Sequence, residues 1–276
     1  MARRLRLGIV RYLNARPLWH RLSEASGRVA LVVDYPSRLA DQLHAGQLDV
    51  ALIPSVEYLR GARGGLRIVP GVSIAARGSV RSVKLLSRVE PRRITRLALD
   101  EGSRTSQALA RIWLAERHDV RPERIEPLPV GVSPLESTAD AVVVIGDRAM
   151  RPLGTDFPWE IDLAEAWLDL TGLPFVFALW VARPGVELGD LPDTLRACRD
   201  AGLRDAWSLA LTHGPPLGLS PQYAYAYLTR SLSYDLGPPE LAGLRLFARL
   251  AARHGLAPQG VDIVFIDPEP DLATRR

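Results

Sequence analysis

Residues 29–61, VALVVDYPSRLADQLHAGQLDVALIPSVEYLRG, decide the fold class. VALVVDY is dense in β-branched residues and reads as a strand. In the segment that follows, Leu39 and Leu43 share one helical face, with Ser37 as the expected N-cap and Gly46 as the expected stop. LDVALI is then an unbroken apolar run of the kind buried on both faces of a parallel sheet, and Ser55 is expected to cap a further short helix, SVEYLRG. Strand, helix, strand, helix at this spacing predicts a parallel, doubly wound α/β sheet.

Upstream, LRLGIV at 5–10 reads as another buried strand, followed by a turn at Leu13 and Asn14 and by Pro17 in the first turn of a helix. Downstream, RIVPGVSIAARGSVRSVKLLSRV offers two β-rich runs around a Gly78–Ser79 turn. A second α/β unit begins at RLALDEGSRTSQALARIWLAERH. ADAVVVIGDRAM repeats the pattern, its strand ending at Gly146 and Asp147, and after the helical DLAEAWLDLTG the run LPFVFALWVARP reads as a strand leaving the unit. The remainder reads as helices, closing on VDIVFID, a strand expected to return to the first sheet. Residues 85–182 are therefore expected to form one lobe inserted into another built from 1–84 and 183–276. SVKLLSR and PFVFALWVAR are the expected crossover strands, with a ligand cleft at the carboxyl ends of the strands and hinge closure around it.

The chain has 276 residues, 47% of them hydrophobic and 24% charged, enough to bury two modest cores. The net charge of +4 comes from arginines interspersed with acids rather than gathered into a cationic run, so no nucleic-acid partner is expected. A lone cysteine, Cys198, reads as a buried helix residue, and none of His20, His44, His118, His213 and His254 pairs at metal-ligand spacing. The N-terminal MARRLRLGIVRYL lacks the apolar core of a secretory signal, and no window is apolar enough to span a bilayer, so a cytoplasmic protein without a membrane partner is expected. Walker A, G-x-S-x-G and G-x-G-x-x-G patterns are all missing.

What remains for chemistry are small hydroxyl and amide residues at strand ends. Asn14 reads either as a turn residue satisfying its own backbone or as a hydrogen-bonding ligand for a carboxylate or hydroxyl. Ser103, Thr105 and Ser106, beside Gly102 at a helix start, offer either a simple N-cap or an anion site where free N–H groups meet hydroxyls. Ser82 opens a crossover strand near the expected hinge. Gly146 ends an apolar strand, and Asp147 after it reads as a helix cap or a polar wall of the cleft, the cap being preferred. Tyr223, Tyr225 and Tyr227 alternate within a helical pattern, so they cannot share a face and include packing residues.

The segments RYLNARPL, PSRLADQLHAGQLDVALIPSVEYL, VPGVSIAARGSVRSVKLLSR, LALDEGSRTSQAL and VVVIGDRAM, with YDLG and GLRLFARLA near the end, together resemble the chorismate dehydratases of the futalosine route to menaquinone. YLN-x-x-PL and S-V-x-S-V-x-L-x-S are the most specific pieces. The resemblance implies a type II periplasmic-binding-protein-like fold, two-lobed with two crossover strands. It also implies a cytoplasmic hydro-lyase that uses no cofactor and converts chorismate to 3-[(1-carboxyvinyl)oxy]benzoate and water. By the same resemblance Asn14 and Ser82 would be its substrate-contacting, catalytic residues, with Ser103, Thr105, Ser106 and Gly146 around the substrate. Two rival readings are the pathway's 1,4-dihydroxy-6-naphthoate synthase, whose Ser-Pro-Cys-Pro-Asn-Asp type opening is missing, and a non-catalytic small-anion-binding protein. A transcription-factor effector domain shares the fold, but no helix-turn-helix unit precedes the first strand.

Overall fold

A computed structural model describes residues 4–22, 29–152 and 156–266. The decisive stretch folds as β2 (Val29–Asp34), α2 (Pro36–His44), β3 (Val50–Pro54) and α3 (Ser55–Gly61), after β1 (Leu5–Val10) and a short α1 (Arg16–Trp19). β1 pairs in parallel with both β2 and β3, as the alternation predicts. Every residue of β3 is buried, which explains its unbroken apolar run.

Neither expected serine cap forms. Pro36 takes the first helical position of α2, where a missing N–H costs nothing, and Ser37 falls one residue inside the helix, buried. Ser55 is itself the first residue of α3 and sends its hydroxyl to the Val176 carbonyl at 2.7 Å. Gly46 does follow the end of α2, at φ +73°, a conformation that suits glycine.

The first sheet has the order β11-β4-β10-β3-β1-β2, with β4 at Arg67–Ala76, β10 at Phe175–Ala182 and β11 at Ser233–Asp235. The second has the order β7-β6-β8-β5-β9, from β5 (Val83–Ser87), β6 (Arg96–Asp100), β7 (Arg124–Leu128), β8 (Ala141–Ile145) and β9 (Trp159–Asp162). β10 pairs antiparallel with β3 and β4 along its length, so it is an inner strand of the first sheet. By sheet membership the chain crosses at 77–82 and again between Asp162 and Phe175, through α5 (Leu163–Thr171), rather than at residue 182. At the second crossing Trp167 of α5 packs edge-on against Phe175 (5.1 Å) and Phe247 (6.3 Å), joining the lobes through aromatic contacts.

α4 (Arg104–His118) packs against α5 in the second lobe. The C-terminal helical region is more broken than its periodicity suggests. LPDTLRACRDAGLRDAWSLAL divides at Asp205 into α6 (Leu191–Arg204) and α7 (Ala206–His213). SPQYAYAYLTRSLSYDLG is a short α8 (Pro221–Ala226), a π-helical turn at Tyr227–Ser231 and the strand β11. α9 (Pro238–Arg253) follows. The closing VDIVFID returns to the first sheet through one parallel bridge, Ile68 to Phe265, flanked by Ile68 N–H to the Val264 carbonyl and Ile266 N–H to the Ile68 carbonyl. It forms no strand over 261–266, and its last residue lies outside the described ones. Among the described residues no helix is long and apolar enough to cross a membrane.

Candidate active site

A cleft opens between the sheets, lined by Val10, Tyr12, Asn14, Ser82, Ser103, Ser106 and Gly146, with apolar walls that include Ile74, Ile145 and Phe177. It sits beyond the carboxyl ends of β1, β3, β6 and β8, the position that open α/β sheets reserve for ligands.

Ser82 reaches the cleft from the first crossing. The carboxylate of Asp162 accepts from the Ser79 hydroxyl (2.8 Å), Val80 N–H (3.1 Å) and Arg81 N–H (2.6 Å), and also from Ala164 and Glu165 N–H at the start of α5. This clamp holds Arg81 at φ +64°, a left-handed conformation costing on the order of 1–2 kcal/mol for a residue with a side chain. Ser82 next to it is buried, its carbonyl takes the Gly146 N–H at 2.8 Å, and its Oγ takes the hydroxyl of Tyr227 at 2.8 Å.

Asn14 lies in a 3-10 turn at Leu13–Ala15, just past β1. Its Oδ1 is buried without a hydrogen-bond partner, so it does not serve the turn as a local cap. The residue lies beside the Tyr227 hydroxyl, which donates to Ser82, so Asn14, Tyr227 and Ser82 form one cluster from three distant segments.

At the start of α4, Ser103 is the N-cap, accepting weakly from Ser106 N–H (3.5 Å) and from the Ser106 hydroxyl (3.2 Å), and both serines still line the cleft. Thr105 does not. It is fully buried with Oγ1 accepting Val56 N–H at 3.1 Å, and it joins α4 to the start of α3. Gly146 lines the cleft but has given its N–H to Ser82, so it contributes space rather than a donor. With φ +71°, a Cβ there would stand 2.7–2.9 Å from the ring of Tyr12.

Asp147 caps no helix. It accepts Leu13 N–H at 3.1 Å, tying the β8 end to the Asn14 turn across the cleft. Burial pushes its carboxyl up to about 6, against the opposing pull of that N–H and of Arg16, Arg11 and Arg151. A folded-state value above the ordinary 3.8 means that the folded chain holds this proton more tightly than the unfolded one. The group's contribution to stability therefore falls as pH rises from about 4 to 6, by an amount on the order of 2 kcal/mol. Asp147→Asn, which keeps an acceptor for Leu13, is expected to gain stability relative to wild type between pH 4.5 and 7.5. Denaturant titrations at the two pH values check this, and an unchanged difference between them would refute it.

The cleft has no ordinary acid or base among its described lining residues. Among those described residues Tyr12 is the one ionisable group, and burial together with the nearby Asp100 holds that phenol well above its usual range, so it stays neutral. Among the described residues no three His, Cys, Asp or Glu side chains gather into a metal-binding group.

A family profile described as menaquinone biosynthesis matches residues 5–253. The chain belongs to that family. The chorismate dehydratase of Thermus thermophilus is 33% identical to it over 260 residues, covering 88% of this chain and 93% of that one. Among solved structures, a protein of Archaeoglobus fulgidus superposes with a TM-score of 0.69 at 14% identity, covering 92% of this chain and 98% of that one. The periplasmic aliphatic sulphonate binding protein of Escherichia coli superposes with a TM-score of 0.64 at 14% identity, covering 95% and 91%. These likenesses show the two-lobed periplasmic-binding-protein fold and nothing finer about chemistry.

For this family member the structure brings Asn14, Ser82, Ser103, Ser106 and Gly146 to one cleft and leaves Thr105 out of it. The sequence does not single out Tyr12 and Asp162, and in it Tyr227 reads only as one of three alternating tyrosines that include packing residues. Asp162 carries a legible cap signal, a carboxylate three residues before Glu165 at a helix start. Tyr227 has no local signal that separates it from Tyr223 or Tyr225.

Proposed function

We propose that the chain is a cytoplasmic chorismate dehydratase, a hydro-lyase that removes water from chorismate to leave 3-[(1-carboxyvinyl)oxy]benzoate. One observation carries the reading beyond family membership: the cleft converges hydroxyl and amide groups on an apolar chamber that offers no ionised base among its described lining residues. Chorismate suits such a chamber because it brings its own carboxylates. The C3 proton is vinylogously acidic through the ring double bond to the ring carboxylate, the C4 hydroxyl departs, and the ring becomes aromatic. The enolpyruvyl carboxylate of the substrate takes the C3 proton and passes it to the departing C4 oxygen, which leaves as water, so the protein's task is orientation and stabilisation of the charge that grows on the ring carboxylate.

In this reading the Ser82 hydroxyl and, at the start of α4, the Ser103 hydroxyl, itself accepting from Ser106, donate toward carboxylate oxygens. Asn14 Oδ1, which lacks a partner, accepts from the C4 hydroxyl, the one donor the substrate dianion has, and so fixes the leaving group relative to the base.

Purified protein incubated with chorismate and a chelator is expected to yield the benzoate ether with release of one water per turnover, followed by ultraviolet absorbance and mass. Saturable binding of chorismate without any product would leave the small-anion-binding alternative standing instead. Turnover that vanishes with chelator and returns with a divalent ion would sink the metal-free route.

A further inference from the structure

We propose that Tyr227 is a positioning residue that aims the Ser82 hydroxyl into the cleft as a donor, an inference that rests on the dehydratase reading above. Tyr227 is fully buried, and its hydroxyl donates to Ser82 Oγ at 2.8 Å. A tyrosine hydroxyl has one proton, and here that proton occupies an acceptor site on the serine oxygen. Ser82's own proton must then point elsewhere. Its backbone groups are already paired, N–H to the Val80 carbonyl and carbonyl to Gly146 N–H, and the cleft is the open direction.

Asn14 lies beside the same phenol, and its Oδ1 is buried without a partner. The hydrogen bonds therefore run in one sense, from Tyr227 to Ser82 to the cleft. That sense leaves Ser82 as a donor to a ligand, beside the unpartnered Asn14 Oδ1 as an acceptor. Burial pushes the Tyr227 phenol well above its ordinary range, so it keeps its proton and the sense does not reverse near neutrality. Tyr227 also opens the π-helical turn that ends α8, a departure from regular helix that is frequent at functional sites. Tyr225, two residues earlier, is exposed and packs on Trp207, as a surface residue of an ordinary helix would.

The test is a cycle of four proteins: wild type, Tyr227→Phe, Ser82→Ala and the double variant, each with its melting temperature and its chorismate kinetics. Tyr227→Phe is expected to lower kcat about tenfold with little change in KM, the worth of one directed hydrogen bond. In the Ser82→Ala background the same substitution is expected to change kcat by no more than about twofold, because no hydroxyl is left to aim. A tyrosine that served packing alone would lower stability and leave kcat of the folded protein in place. Equal losses in the two backgrounds, or a Tyr227→Phe kcat within about twofold of wild type, would overturn the assignment. Should Tyr227→Phe fold poorly, 3-fluorotyrosine placed at 227, a slightly stronger donor of nearly the same shape, is expected to raise kcat, and an unchanged kcat would overturn the proposal. A wild-type protein inert toward chorismate would instead defeat the dehydratase reading itself, so the two failures are distinguishable.

Discussion

Ser82→Ala and Asn14→Ala are each expected to lower kcat by about 10²-fold or more, as loss of a group that acts on developing charge or on the departing group commonly does. The lost interactions strengthen in the transition state, so kcat and kcat/KM fall together rather than KM alone rising. The two variants should differ in stability. Removing Ser82 Oγ leaves the buried Tyr227 hydroxyl without its acceptor, at a cost of about 1–3 kcal/mol. Removing the Asn14 side chain takes away an oxygen that has no partner to lose, so its melting temperature should move less. Kinetics normalised to folded protein, measured beside thermal melts, separate the roles. Near-wild-type kcat and KM in both folded variants would remove Asn14 and Ser82 from the mechanism.

Gly146→Ala should be as damaging, for a different reason. The backbone there has φ +71°, so any Cβ is strained, and this one would press into the Tyr12 ring at 2.7–2.9 Å. Tyr12 sits on the first lobe and Gly146 on the second, and their contact is part of how the lobes meet around the cleft. The same seam is closed by Leu13 N–H on Asp147, Val56 N–H on Thr105 and the paired bonds from Arg104 to Asp41 at 2.8 and 2.9 Å. Pushing the ring away misplaces Asn14, two residues on. A displacement of about 1 Å costs on the order of 10²-fold in rate, and that loss in kcat/KM is the expected result. Solution scattering with saturating product should show a compact wild type and a more open variant. A variant that closes and turns over within about threefold of wild type would show that the ring has room to yield, contrary to the strain expected of a side chain at this backbone angle.

Much of the scaffold could be read locally. VALVVDY, the Leu39 and Leu43 face, Gly46 and the buried run of β3 each declare their element over a few residues, because side-chain periodicity and turn chemistry act over that range. RLALDEGSRTSQAL likewise announces strand, turn and helix, with Ser103 at its cap. The resemblance of whole motifs in order then placed Asn14 and Ser82 at a cleft, a position no single turn residue declares.

The chain's own local signals determined the α/β elements and their order, the parallel start of the first sheet and the polar strand ends from which a site had to come. Tertiary packing decided which of those ends face one another. It set β10 inside the first sheet, because its strand was already legible but its neighbours β3 and β4 lie far off in sequence. It turned Thr105 away to Val56, gave the Gly146 N–H to Ser82, and brought Tyr227 to Ser82 across 145 residues of chain. A hydroxyl at a helix start can cap, bind or tie two lobes together with the same local sequence around it. The choice rests on which partner the folded chain presents within about 3 Å, and that is a property of packing between segments remote in the chain.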